Sequence, residues 1–385
     1  MLTCRRADFT LPEGLHYLNC AYMSPLSRRV EEAGVTGMAR KRDPAGIRSD
    51  DFFRDCDALR ALFARLVHAP DSQRVAIVPS VSYGIGVVAR NETARTGQNI
   101  VVSAEQFPSN VYPWRVLCAE RCLELRTVAA PEVGEGRGEE WNARLLEAID
   151  GDTAIVALPH HHWTDGTRFD LQAIGTRARD VGAALVIDGT QTLGAAPFDV
   201  AAIRPDALVC AAYKWLLGPY SIGLAYYGPR YDGGRPLEEA WLAKPASEDF
   251  RRIAEYRDDY RPAALRYDVG ERSDFIRVPM LIAAIGQLLE WGIASIRNYC
   301  ARLVHEMVEG VRDLDVWVEE AVWRAPHLFG LRLPPGVDLG RLQSAFAARR
   351  VYVSLRASAV RISPNVYNDP RDGEALCDAL RDALD

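Results

Sequence analysis

Between residues 75 and 228 the chain alternates short apolar runs with longer stretches of helical spacing, and this rhythm predicts the architecture. The runs are VAIV at 75–78, NIVV at 99–102, LELRTV at 123–128, AIVAL at 154–158, ALVI at 184–187 and ALVCAA at 207–212. Apolar runs of this length read as strands buried on both faces, and helices between them make the sheet largely parallel, in an α/β layer. The separators agree: 171–181 reads as a helix ended by Gly182, and 141–149 as another ended near Gly151. SIGLAYYG at 221–228 follows Gly218-Pro219 and reads as an antiparallel strand returning beside 207–212.

The flanks have a different texture. Phe52, Leu59, Leu62, Phe63 and Leu66 recur at helical intervals, so 25–68 predicts two helices broken near Asp43-Pro44. The polar stretch 232–261 reads as an irregular surface excursion. Leu281, Ile285, Leu288, Ile296, Leu303 and Met307 then mark a long helix or helix pair over 279–314, long enough to join two domains. Strand-like LFGLRL, a helix over 339–348, VYVSL, AVRISP and a final helix from Arg371 make a smaller C-terminal α+β domain. The expected division is 20–265 for the large α/β domain, with 1–19 and 266–385 forming the small one around the connecting helix.

Composition narrows the function classes. The 385 residues are 48% hydrophobic and 25% charged, which excludes disordered and collagen-like chains. Net charge is −6, so no overall basic field draws nucleic acid or an anionic membrane. The eight cysteines form no CxxC pairs and no disulfide framework, and the N-terminus shows no signal-peptide pattern. Together these features predict a cytoplasmic protein with no membrane and no nucleic-acid partner.

The chemistry centres on two residues. Asp188 follows the run ALVI and Lys214 follows ALVCAA. Ligands of open parallel sheets bind outside the strands' carboxyl ends, so an acid and a lysine share one crevice. A lysine there can form a Schiff base with pyridoxal phosphate, and an aspartate facing the ring nitrogen keeps that nitrogen protonated.

ALVIDGTQTLGAAPFDV followed by DALVCAAYKWLLGP resembles the class V aminotransferase group of fold-type I pyridoxal phosphate enzymes, which includes cysteine desulfurases, kynureninases and isopenicillin N epimerases. The resemblance runs from YLNCAYMSPLS to VRISPNVYN. It implies a fold-type I transferase fold, with a mostly parallel central sheet and a smaller C-terminal domain. It implies pyridoxal 5'-phosphate, with Lys214 as the Schiff-base lysine, Asp188 on the pyridinium nitrogen and Gln191 on the phenolate oxygen. Tyr213, directly before the lysine, would place its hydroxyl on the phosphate, the kynureninase-like arrangement. Ser80, Val81 and Ser82, in PSVSYGIG, would cradle that phosphate at a helix start. Phe107, in EQFPSNVYPW, would lie over the ring, and Trp163 or His162, in HHHWTDG, beside its phenolate edge or the substrate. Arg361, in VRISPNVYN, would clamp a substrate α-carboxylate, with Arg356 as a second candidate.

Other readings of these segments are weaker. Gly84, Gly86 and Ala89 spell a dinucleotide-type GxGxxA, but serines occupy the turn and the motif falls inside a helix. In HHHWTDG, alternation along a strand lets His160 and His162 converge, and no third ligand is identified, so no metal is expected. The desulfurase cysteine that precedes the arginine segment is missing, because no cysteine lies between Cys300 and Cys377. RYDVGERSDF at 266–275 resembles the segment that reaches the partner subunit's phosphate in family dimers. It carries Gly270-Glu271 where relatives have Gly-Thr, leaving Arg272 or Ser273 as replacements.

The function expected is Cα deprotonation of a small amino acid, of aminotransferase or C–S/β-lyase type, by a homodimer. A kynureninase-like hydrolase or an epimerase is the alternative. A catalytically silent binding protein is the alternative of another class, disfavoured by intact Asp188, Gln191, Tyr213, Lys214 and Arg361.

Overall fold

The computed structural model describes residues 2–356 and 359–384. Ala357 and Ser358, within the segment noted for lacking a cysteine, lie outside the described residues. The strands in chain order are β1 His16–Tyr17, β2 Val75–Val78, β3 Asn99–Ser103, β4 Glu124–Val128, β5 Thr153–Pro159 and β6 Ala184–Asp188. They continue with β7 Ala207–Ala211, β8 Gly223–Tyr227, β9 Phe329–Arg332, β10 Val351–Tyr352, β11 Ser354–Arg356 and β12 Ala359–Ile362.

Seven of them form one sheet in the order β2-β8-β7-β6-β5-β3-β4. Strand β8 runs antiparallel to both its neighbours, and every other pairing is parallel. The apolar runs are strands because both faces are covered. Val156 and Leu158 of β5 join one core cluster, while Ile155 and Ala157 join another on the opposite face. Strand β4 departs from this expectation: it is the edge strand, Glu124 is exposed and only Val128 is buried. Helices Tyr112–Arg121 and Arg137–Ala148 both pack on it, but with no strand beyond it Leu125 and Arg126 stay half-buried and Glu124 reaches solvent.

Helices Arg28–Ala39 and Arg54–Leu66 flank the expected break at Asp43-Pro44. The helix expected from Trp141 begins earlier, at Arg137, after Gly136 with φ of +71°. Charged side chains disguise that first turn in the sequence, yet Arg137 is buried between Asp165 and Glu319, at 3.2 and 2.9 Å. The long periodic segment is a helix pair, Arg277–Trp291 and Ile293–Gly310, bent by 75° at Gly292. Among the described residues no single helix is long and apolar enough to cross a membrane.

Strands β11, β12 and β9 form a separate antiparallel sheet, and β1 pairs in parallel with β10. The N-terminal segment continues from β1 to the large sheet's cavity edge. Ala21 N donates to Ser363 Oγ at 3.0 Å, and Ala21 O accepts from Gln191 Nε2 at 3.2 Å.

Candidate active site

Strands β2, β5, β6 and β7 end at one edge of the large sheet, and β8 begins there. The loops beyond those ends surround a cavity of about 340 Å³ lined by Ser80, Phe107, Trp163, Asp188 and Lys214. This is the edge at which open α/β sheets bind ligands.

One end of the cavity is an anion cradle. Ser80 caps the helix Val81–Asn91, its Oγ accepting from Tyr83 N at 3.2 Å and lying 3.0 Å from Ser82 Oγ. Free backbone N–H groups at such a start, with the helix dipole, favour a bound anion. Val81 and Ser82 line the same cavity. The GxGxxA string has a packing role: a Cβ at Gly84 would meet Val209 Cγ1 at 2.7 Å, and Gly84 O accepts from Tyr227 Oη at 2.8 Å. Its glycine brings the helix down onto β7 and β8.

The other walls carry the reactive groups. Asp188 ends β6, with its Oδ1 accepting from Thr190 N at 3.0 Å. Burial raises its carboxyl above the usual range, against the opposing pull of Thr190 and Lys214. Lys214 is 5% exposed, and its Nζ lies 5.1 Å from the Phe107 ring centre and 5.5 Å from that of Tyr213. Burial first, then the Arg361 charge, lowers its ammonium to about 8, with Asp188 opposing. An amine held there is partly neutral near physiological pH, as a nucleophile or proton acceptor requires.

Phe107 meets Trp163 edge to face at 5.6 Å, and Trp163 Nε1 donates to Glu105 O at 2.6 Å. Tyr213 packs on Tyr220 at 4.5 Å, and burial pushes its phenol up to about 12, so it stays a donor. Gln191 lines the cavity with a side chain already engaged: Nε2 donates to Ala21 O, and Oε1 accepts from Trp215 Nε1 at 2.8 Å. One N–H of its amide remains for a ligand. Arg361 lies beside the cavity rather than on its wall. It is 1% exposed, with Nη1 donating to Trp163 O at 3.0 Å and Nη2 to Ser354 Oγ at 3.3 Å.

Three expectations are corrected. The alternation argument for HHHWTDG fails because β5 ends at Pro159. His160 and His161 instead stack at 4.3 Å, and it is His161 that lines the cavity. His162 is turned away, with Nδ1 at 2.7 Å from Thr164 Oγ1 and Nε2 at 3.2 Å from Ala104 O. Arg272 and Ser273 are committed within their own chain: Arg272 pairs with Asp268 at 3.0 Å and Ser273 Oγ donates to Phe52 O.

The sequence reading also missed Thr190, Tyr220 and Ser221, which line the cavity. Their signal was position, since each lies within a few residues of Asp188 or of the start of β8.

The buried histidines give a pH prediction. His161 and His327 are 1% and 0% exposed, their rings 5.2 Å apart. Burial lowers both, His327 to about 4 and His161 well below 6.5. The unfolded chain therefore binds protons near pH 6.5 that the folded chain refuses, so stability falls as pH drops below 6.5. The slope is about 1.4 kcal/mol per pH unit for each ring. Urea midpoints should decline between pH 6.5 and 5; a flat profile would rule out neutral burial.

The aminotransferase class-V family model matches residues 45–320. The chain belongs to that family. It is 25% identical over 320 residues to YcbU of Bacillus subtilis (strain 168), described as an uncharacterized aminotransferase, covering 83% of this chain and 81% of that protein. It is 24% identical to isopenicillin N epimerase of Streptomyces clavuligerus over 95% of this chain and 94% of that one. The apo cysteine desulfurase of Thermococcus onnurineus NA1 superposes with a TM-score of 0.84 at 19% identity, covering 100% of this chain and 99% of that one. The fold is therefore the fold-type I pyridoxal phosphate architecture.

As a class-V enzyme the protein uses pyridoxal 5'-phosphate, and the cavity fits that group. It joins an anion cradle, a buried amine of lowered basicity and a buried carboxylate with no cation within 4.0 Å among the described residues. A pyridinium nitrogen would give Asp188 the positive partner its burial calls for.

Proposed function

We propose that the protein acts on a small amino acid by removing its Cα proton, as an aminotransferase or C–S lyase, with Lys214 as the proton acceptor. Bound pyridoxal phosphate supplies an electron-withdrawing ring that makes the Cα proton acidic. Ser80, Val81, Ser82 and Tyr213 would hold the phosphate, and Gln191 the phenolate edge. Asp188 would hold a proton at the ring nitrogen as its counter-anion. Phe107 and Trp163 would cover the ring and exclude water. Arg361 offers its free N–H groups to the substrate α-carboxylate and so fixes which Cα bond faces Lys214.

The observation that carries this reading is the buried Lys214 amine facing the same cavity as the buried Asp188 carboxylate. We assign residues 20–265 to the cofactor-binding domain and residues 1–19 and 266–385 to the small domain. We also propose a cytoplasmic homodimer, consistent with Tyr22 and Tyr220 being 55% and 60% exposed. The test is borohydride reduction of the protein after incubation with pyridoxal phosphate, followed by peptide mapping. A tag on Lys214 is expected; a protein that takes no tag there overturns the proposal.

A further inference from the structure

The hairpin β11–β12 places two arginines on one face. Ser354 pairs with Arg361, and Arg356 with Ala359. Residues two apart on a strand share a face, so Arg356 lies on the face of Ser354 and is the diagonal neighbour of Arg361. Both guanidinium groups converge on one side chain, their central carbons 5.7 and 5.8 Å from the Trp163 ring centre. Trp163 is itself part of the cavity wall.

Like charges placed diagonally repel, and nothing negative separates these two. Among the described residues neither guanidinium has a carboxylate within 4.0 Å. Arg356 donates to its neighbour's carbonyl, Leu355 O, at 2.9 Å. Arg361 reaches one carbonyl and one hydroxyl, and its buried Nε has no hydrogen-bond partner among the described residues. The indole satisfies the faces of both groups without neutralising their charge. Lys214, close enough to feel Arg361, adds a third cation on this side of the cavity. A buried positive cluster without its own acid is completed by an anion from outside.

We propose that Arg356 and Arg361 form a two-arginine subsite that selects amino acids with a second anionic group, such as a side-chain carboxylate or sulfinate. Arg361 takes the α-carboxylate and Arg356 the distal anion. Both guanidinium carbons lie within 6 Å of one indole on the cavity wall, so the two anionic groups of a single small ligand lie within reach of both arginines.

This inference names the substrate class of the function proposed above and rests on it, but its test does not need turnover. Succinate and propionate, which carry no amine to react, are titrated calorimetrically into the purified holoenzyme. Succinate should bind about tenfold tighter or more, the yield of one added charge-assisted pair. Arg356→Met should bring the two ligands close to parity, and Arg361→Met should weaken both together. Catalytic efficiency should follow the same ranking, with L-aspartate, L-glutamate or L-cysteine sulfinate above L-alanine. Equal affinity for succinate and propionate in the wild type, or a succinate preference that survives in Arg356→Met, overturns the subsite. Because Arg356 is half-buried on a hairpin, its replacement tests recognition rather than folding. Failure of the borohydride tag on Lys214 would sink the proposed chemistry alone, whereas a tagged enzyme without succinate preference sinks the subsite alone.

Discussion

Replacing Lys214 with alanine should lower turnover of every amino-acid substrate by about 10²–10⁴-fold, the usual worth of one positioned proton-transfer group. The loss should come in kcat, because the amine acts on the Cα proton, while Arg361 and the phosphate cradle continue to bind. Lys214→Arg makes the argument sharper. It keeps a cation at the end of β7, but a guanidinium does not give up its proton in the working pH range and cannot accept one. Both variants should therefore be equally inactive, with Lys214→Arg the less stable of the two, since burial works against charge at this position and a guanidinium cannot shed it. Steady-state kinetics with circular dichroism as the folding control decides it. Substantial turnover by Lys214→Arg would show that another group moves the proton.

The second large effect concerns stability. Asp268 is 1% exposed and holds two arginines that are themselves buried: Arg60 Nη2 at 2.6 Å and Arg272 Nε at 3.0 Å. It also accepts from Ile77 N at 2.9 Å, in the strand leading to the Ser80 cradle. Asp268→Asn keeps the shape and removes the only negative charge of this trio, leaving buried Arg272 without a carboxylate and Arg60 with only the exposed Asp57 at 3.5 Å. Breaking a buried pair this way costs about 3–5 kcal/mol. Arg272→Met in the same background should restore part of the loss, because Nη1 and Nη2 of Arg272 have no partner to forfeit. Urea denaturation of the two variants measures both effects. An Asp268→Asn protein within about 1 kcal/mol of the wild type would mean that solvent reaches the trio.

Much of this architecture was legible because its strands are covered on both sides, and such strands write themselves as unbroken apolar runs. The order of those strands was legible only in part. The run after Gly218-Pro219 placed β8 antiparallel beside β7, as found, but nothing in the runs says that β2 lies on its other side or that β4 lies at the edge, since neighbour choice depends on how helices pack across the chain. Asp188 and Lys214 could be placed because a residue just after a buried strand must emerge at its carboxyl end. His161 could not, because the periodicity that assigns faces lapses once β5 stops at Pro159. Arg272 looked free to reach a partner subunit, and its burial against Asp268 depends on a contact with Arg60 some two hundred residues away in the chain. Gln191 is a mixed case. Its position in DGTQ pointed to the cavity, while its hold on Ala21 depends on where the N-terminal segment ends up.

That segment also sets an order of events. β1 is made almost first, yet its partner β10 comes more than three hundred residues later, and Ala21 is fixed from one side by Gln191 and from the other by Ser363. On a translating ribosome the large sheet can assemble while its N-terminal strap is still loose, and the strap locks only when the last strands emerge. Completion of the catalytic cavity thus becomes a late, whole-chain event, and chains truncated before the final hairpin lack the strap's anchor.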